Sequence, residues 1–166
     1  MYRLIEDFVN DWKQEAESTL KIFSRLTDAS LTEQVTGYKR TIGRLAWHIT
    51  QTTSEMMHRV GLFDTDELEQ VAQPTTVAAI AAYFKKYADA LVVNIHEKWT
   101  DASLLEKRPM YGEEWVNGIT LNILIKHMAH HRAQITVLMR QLGLAVPGVY
   151  GPSNEEWLTY GMQPME

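Results

Sequence analysis

A chain of 166 residues with 45% apolar and 22% charged side chains can bury one sizeable core, which argues against disorder. Its formal net charge of -5, with sixteen Lys and Arg dispersed rather than clustered, offers no stripe for a phosphate backbone and excludes nucleic acid as an expected partner. The absence of cysteine excludes disulfides, thiolate metal ligands and a thiolate nucleophile from the chain itself, so a metal must be held by nitrogen and oxygen and thiol chemistry needs an external thiol.

Four segments carry helical periodicity. The first, residues 2–26, places Leu4, Ile5, Phe8, Trp12, Thr19, Ile22, Phe23 and Leu26 at three- and four-residue steps, with Glu15 as a polar interruption. The second, 41–60, repeats Ile42, Leu45, Ile49, Thr52, Met56 and Val60 and stops at Gly61, a residue type suited to a helix end. The third follows Pro74, with Thr75 or Thr76 as N-cap, and runs through Ala79, Ile80, Tyr83, Tyr87, Leu91 and Ile95 to Lys98. The fourth runs from about Gly118 to Leu142, ahead of Gly143.

The connections at 27–40, 62–73 and 99–117 exceed the roughly two to eight residues common between bundle helices, so at least one is expected to cross the bundle. Residues 110–116 (MYGEEWV) allow at most a short ribbon, and 146–163 are expected to form an irregular C-terminal cap with one helical turn at 154–158. The fold class that follows is all-α: a four-helix bundle with long connections, one domain over 1–166. The start has acids within its apolar periodicity and does not read as a signal peptide, and no apolar run approaches the length of a bilayer span. The expected location is the cytosol, without membrane association.

Six histidines separate by their positions on these helices. At about 100° per residue, Leu121, Leu124, Met128, Ile135 and Leu138, with Leu142, define the apolar arc of the fourth helix; His131 lies within it and His127 one turn earlier near its edge. The i, i+4 pair can aim two imidazoles at one point. His130 faces away, towards solvent or a partner chain. In the second helix Leu45, Ile49, Thr52 and Met56 define the arc, and His48 also faces inward. His58 points opposite that arc, and neither it nor His96 is assigned a role. The pair is an H-x-x-x-H pattern without glutamate after its first histidine, so the metalloprotease base is missing. Against the metal reading stands the plainer one, in which each histidine is a core residue satisfied by a hydrogen bond.

Three stretches, LAWHITQ in the second helix, HMAHHRAQ in the fourth and YGPSNEEWLTYGM in the tail, resemble the DinB (DNA-damage-inducible) family, and the resemblance covers nearly the whole chain. It implies a four-helix bundle with an unusual crossover, commonly a homodimer, holding nickel, zinc or a similar divalent ion, with iron or manganese as alternatives. The family's first ligand maps onto His48 and its pair onto His127 and His131; where related thiol-using members place glutamate at the first position of the pair, this sequence has His127. Characterised relatives imply transferases or isomerases that use a low-molecular-weight thiol such as bacillithiol or mycothiol.

The leading expectation is a metal-dependent enzyme that activates a small thiol for an electrophile, S-transferase-like, or activates water, as a hydrolase would. Gln51, Glu55 and Gln134 lie within about a turn of the ligands and could orient them or bind substrate, and no residue is assigned as catalytic. The alternative is a noncatalytic stress-response or binding module whose metal is structural, for which a fourth protein ligand such as Glu55 would speak. Ordinary imidazole acidity places the loss of metal at about pH 6.

Overall fold

The computed structural model describes residues 1–34 and 39–164; the expected connection at 27–40 and the expected 1–166 span both include residues outside that set. Four long helices, α1 (Ile5–Phe23), α2 (Ile42–Arg59), α3 (Val77–Lys98) and α4 (Asn117–Gln141), are followed by a short α5 (Asn154–Trp157). A hairpin of β1 (Lys107–Met110) and β2 (Glu113–Val116) precedes α4. Among the described residues, no helix is long and apolar enough to cross a membrane.

Helix α1 packs on α3 and α4, and α2 packs on the same two helices, so the order around the bundle is α1, α3, α2, α4. Consecutive helices α1 and α2 therefore sit across a diagonal, as do α3 and α4. This is the crossover expected from the long connections, and it leaves α2 and α4, the two histidine-bearing helices, side by side.

Local chemistry sets the helix ends. Thr41 caps α2 by accepting from the Arg44 amide at 3.0 Å, and Thr76 caps α3 by accepting from the Ala79 amide at 3.3 Å. Helix α1 starts later than its periodicity suggests. Its first amide, Ile5 N–H, donates to Asp101 Oδ1 at 2.8 Å, a cap supplied from 96 residues away that local sequence could not reveal. Leu4 is consequently outside the helix and exposed rather than core, and Leu142, the residue that ends α4, is exposed as well. The ribbon expected at 110–116 is an antiparallel hairpin over Lys107–Met110 and Glu113–Val116. Its two-residue loop has positive φ at Tyr111 (52°) and Gly112 (88°), the backbone that lets two twisted strands join tightly.

The apolar faces meet in one core, in which Phe8, Trp12, Phe23, Trp47 and Phe84 are fully buried. The Trp12 indole N–H reaches the Ala88 carbonyl at 3.1 Å, pairing a buried donor while joining α1 to α3. Glu15, the polar interruption of α1, is paired rather than solvated: its carboxylate accepts from Arg132 Nη2 at 2.5 Å and from the Tyr150 hydroxyl at 2.9 Å. Arg132, only 2% exposed, also donates to the Glu15 carbonyl at 3.0 Å and to Thr19 Oγ1 at 3.2 Å. This cluster ties α1, α4 and the C-terminal cap together. The cap is further held by an ion pair of Arg140 with Glu155 and by Lys21 Nζ on the Gly148 carbonyl at 2.9 Å.

Candidate metal centre

Helix α2 supplies His48, and α4 supplies His127 and His131 one turn apart, so the close packing of these two helices brings three imidazoles to one place. One nitrogen from each ring lies within 4.8 Å of the others, a set that can hold a metal ion. Ring centroids are 4.9 Å apart for His48 and His127, 4.7 Å for His48 and His131 and 4.4 Å for the α4 pair. His131 is buried and the other two are half-buried. The Nε2 atoms of His127 and His131 are 3.1 Å apart. Two nitrogens each bonded to one ion at about 2.0–2.1 Å and spread by a tetrahedral or octahedral angle sit about 2.9–3.4 Å apart, so the pair already has the spacing of two ligands.

Neighbouring groups prepare the rings. His131 Nδ1 lies 2.8 Å from Gln134 Oε1, an atom that can only accept, so Nδ1 carries the hydrogen and Nε2 keeps its lone pair for an ion. The other end of the same carboxamide lies 3.1 Å from His130 Nε2, so Gln134 is itself held by the outward-facing histidine. His127 Nδ1 is buried with no hydrogen-bond partner among the described residues, and the nitrogen this ring turns towards the shared point is Nε2, 3.1 Å from that of His131.

Electrostatics favour the neutral rings. Burial, then the neighbouring imidazoles and the cations Arg40 and Arg44, lower the His48 pKa from 6.5 to about 4. Burial and then His131, His130 and Arg40 lower His127 to about 4, and burial also lowers His131, against the Gln134 hydrogen bond, which raises it. His48 and His127 therefore stay neutral below the range of ordinary imidazole acidity, and His131 shifts the same way, so proton competition for a metal is displaced to a pH below the 6 expected from an isolated imidazole.

The remaining candidates stand apart. Glu55, considered as a fourth ligand, instead pairs with Arg59 Nε at 2.8 Å and accepts from the Tyr111 hydroxyl at 3.3 Å. Among the described residues, no carboxylate joins the three nitrogens. His58, exposed against the Phe63 carbonyl at 3.1 Å, lines a cavity beside His48 without joining the three nitrogens, and His96 is exposed beside Glu6 at 2.7 Å. This cavity beside His48 has a volume of about 790 Å³, its charged and amide lining including Arg44, Gln51, Glu55, Arg59, Asp66 and Glu69. Arg44 carried no expectation from the sequence, although its place four residues before His48 was a usable signal; Glu15 and Arg132, opposite charges on two core-facing arcs, were another.

Comparison with known proteins agrees with the fold. The DinB family model matches residues 1–164. The chain is 37% identical over 163 residues to the protein YrdA of Bacillus subtilis (strain 168), covering 98% of each. A crystal structure of a DinB-like protein from Bacillus cereus ATCC 10987 superposes with a TM-score of 0.81 at 40% identity, over 90% of this chain and 100% of that one. A second DinB-like structure, YjoA of Bacillus subtilis, shares the fold at a TM-score of 0.69 and 14% identity, over 89% of this chain and 99% of that one. A bundle whose α2 and α4 converge three histidines, matched by the family model over all but its last two residues, belongs to the DinB family.

Proposed function

We propose that this chain is a metal-dependent enzyme in which His48, His127 and His131 hold a divalent ion, nickel or zinc by preference, and a low-molecular-weight thiol is activated for transfer to an electrophile. The observation that carries this reading is a three-imidazole set with no fourth protein ligand among the described residues, beside a cavity of about 790 Å³. Structural ions are normally enclosed by four protein ligands, whereas catalytic sites keep a position open.

The chemistry such an ion supplies is Lewis acidity, which lowers the pKa of a thiol or water in its open position. The chain does the rest. His48, His127 and His131 offer neutral lone pairs, Gln134 fixes the His131 ring, and the polar cavity admits a hydrophilic cosubstrate. In the transfer, the thiol gives its proton to solvent, its sulfur bonds the electrophilic carbon, and the leaving group departs with its bonding pair.

The test is elemental analysis of purified protein joined to a thiol-panel assay with a model electrophile. The expected result is one divalent ion per chain and conjugation that stops on chelation and returns with metal. Stoichiometric metal with no turnover across the panel favours the structural-metal reading, and turnover that needs water but no thiol favours a hydrolase.

A further inference from the structure

The cavity beside His48 is asymmetric in charge, and the asymmetry begins at Arg44. Residues three and four apart share a face of a helix, so Arg44, His48 and Gln51 form one stripe of α2 along the cavity wall. The Gln51 carboxamide accepts from Arg44 Nη1 at 2.8 Å and donates to the Leu68 carbonyl at 3.2 Å, so it fixes the guanidinium against the 62–76 connection through a neutral partner. The other arginines near the site differ: Arg59, which also lines the cavity, is neutralised by Glu55 at 2.8 Å, Arg132 is neutralised by Glu15 at 2.5 Å, and Arg40, whose charge also acts on the imidazoles, is not among the residues lining the cavity. Among the described residues, no carboxylate lies within ion-pair distance of Arg44, and its remaining N–H groups take no hydrogen bond.

An arginine held in place by a neutral acceptor, with unused donors facing a cavity, has the form of a carboxylate receptor, because its planar fork matches two carboxylate oxygens. The rest of the lining sets the charge of the ligand. With Glu55 offset by Arg59 on the same lining, Asp66 and Glu69 leave the other walls negative and repel a second anionic group, which disfavours a phosphate dianion and favours a single carboxylate.

The geometry points to Arg44 as the specificity-determining residue of this centre: it takes the carboxylate of a small thiol carboxylic acid whose sulfur faces His48, His127 and His131. This assignment rests on the thiol reading given above. It adds that neutral thiols are poor cosubstrates.

The test uses the full chain loaded with cobalt(II), whose visible spectrum reports a sulfur entering the metal's coordination. Titration with 3-mercaptopropionate and with the neutral 2-mercaptoethanol is compared in the parent protein, Arg44→Gln and Arg44→Lys. The parent is expected to bind the carboxylated thiol about 10-fold more tightly or better, as a charge-assisted bidentate pair allows. Arg44→Gln is expected to remove that preference while leaving cobalt content and the affinity for 2-mercaptoethanol unchanged, and Arg44→Lys to restore part of it. Equal affinities in the parent, or equal loss of both thiols in Arg44→Gln, overturns the assignment while leaving thiol activation standing. If neither thiol alters the spectrum of the cobalt-loaded chain, the thiol reading fails, and succinate monohydroxamate against acetohydroxamate then decides Arg44. An Arg44-dependent preference for the carboxylated hydroxamate supports the receptor, and no preference overturns it.

Discussion

The Nε2 atoms of His127 and His131 face each other at 3.1 Å, and the Gln134 oxygen places the His131 hydrogen on the far side of its ring. Between such nitrogens there is room for one proton or one ion. His131→Ala therefore removes a ligand that is already oriented, and metal content measured by elemental analysis is expected to fall to background. His130→Ala removes only an outward ring that touches Gln134, so stoichiometric metal is expected to remain. Equal loss in both variants would show that His130 takes part in coordination.

Gln134 acts through His131. Gln134→Leu keeps the volume but withdraws the acceptor, so the Nδ1 hydrogen is left without its partner and the ring can turn or change tautomer. Loss of such an orienting group typically lowers metal affinity about 10–100-fold. Competition with a chromophoric chelator measures this directly. Gln134→Glu, which retains an acceptor on that side, is expected to hold affinity near the parent value, and a fall as large as that of Gln134→Leu would remove Gln134 from this role.

Periodicity was enough to read the helices, because their buried arcs repeat at three and four residues, and the same arithmetic put His48, His127 and His131 inside and His130 outside. What it could not read were contacts between distant segments. The Asp101 cap on Ile5, the diagonal placement of α1 and α2, and the pairing of Glu15 with Arg132 and Tyr150 all depend on which helix lies beside which. The acidity of the rings likewise depends on neighbours: an isolated imidazole titrates near 6.5, whereas burial beside two others and two arginines lowers His48 to about 4.

That acidity has a stability consequence. In the folded, metal-free chain His48 and His127 bind protons only near pH 4, while in the unfolded chain they bind them near the ordinary imidazole value of 6.5. Between those limits the unfolded state holds more protons, so stability is full above about pH 6.5 and declines as pH falls towards 4. Glu155, whose pairing with Arg140 lowers its pKa to about 2, contributes stability that is present above its ordinary 4.5 and lost in a lower window, as pH falls through about 2. Urea midpoints of chelator-treated protein at pH 7.5, 5.5 and 4.5 are expected to fall in that order, and a His48→Asn, His127→Asn double variant is expected to show a flatter decline. Parallel curves for parent and double variant would mean these rings do not titrate as described.

Arg132 offers the sharpest stability test because its charge is nearly sealed from water. Its side chain is 3% exposed and that of Glu15 12%, and the guanidinium is satisfied by the Glu15 carboxylate and carbonyl, Thr19 and Tyr150. Glu15→Ala leaves a buried cation without its counter-ion, a change that typically costs about 3–5 kcal/mol. Tyr150→Phe removes one hydroxyl from the same cluster while keeping the ring against the guanidinium, and is expected to cost about 1 kcal/mol. Joint replacement of Glu15 and Arg132 by Leu and Met is expected to recover much of the Glu15→Ala loss, since it removes the stranded charge as well as its partner. Urea unfolding followed by circular dichroism gives all three values. A Glu15→Ala loss below that of Tyr150→Phe would mean that water reaches Arg132 and that the cluster does not hold α1, α4 and the cap together.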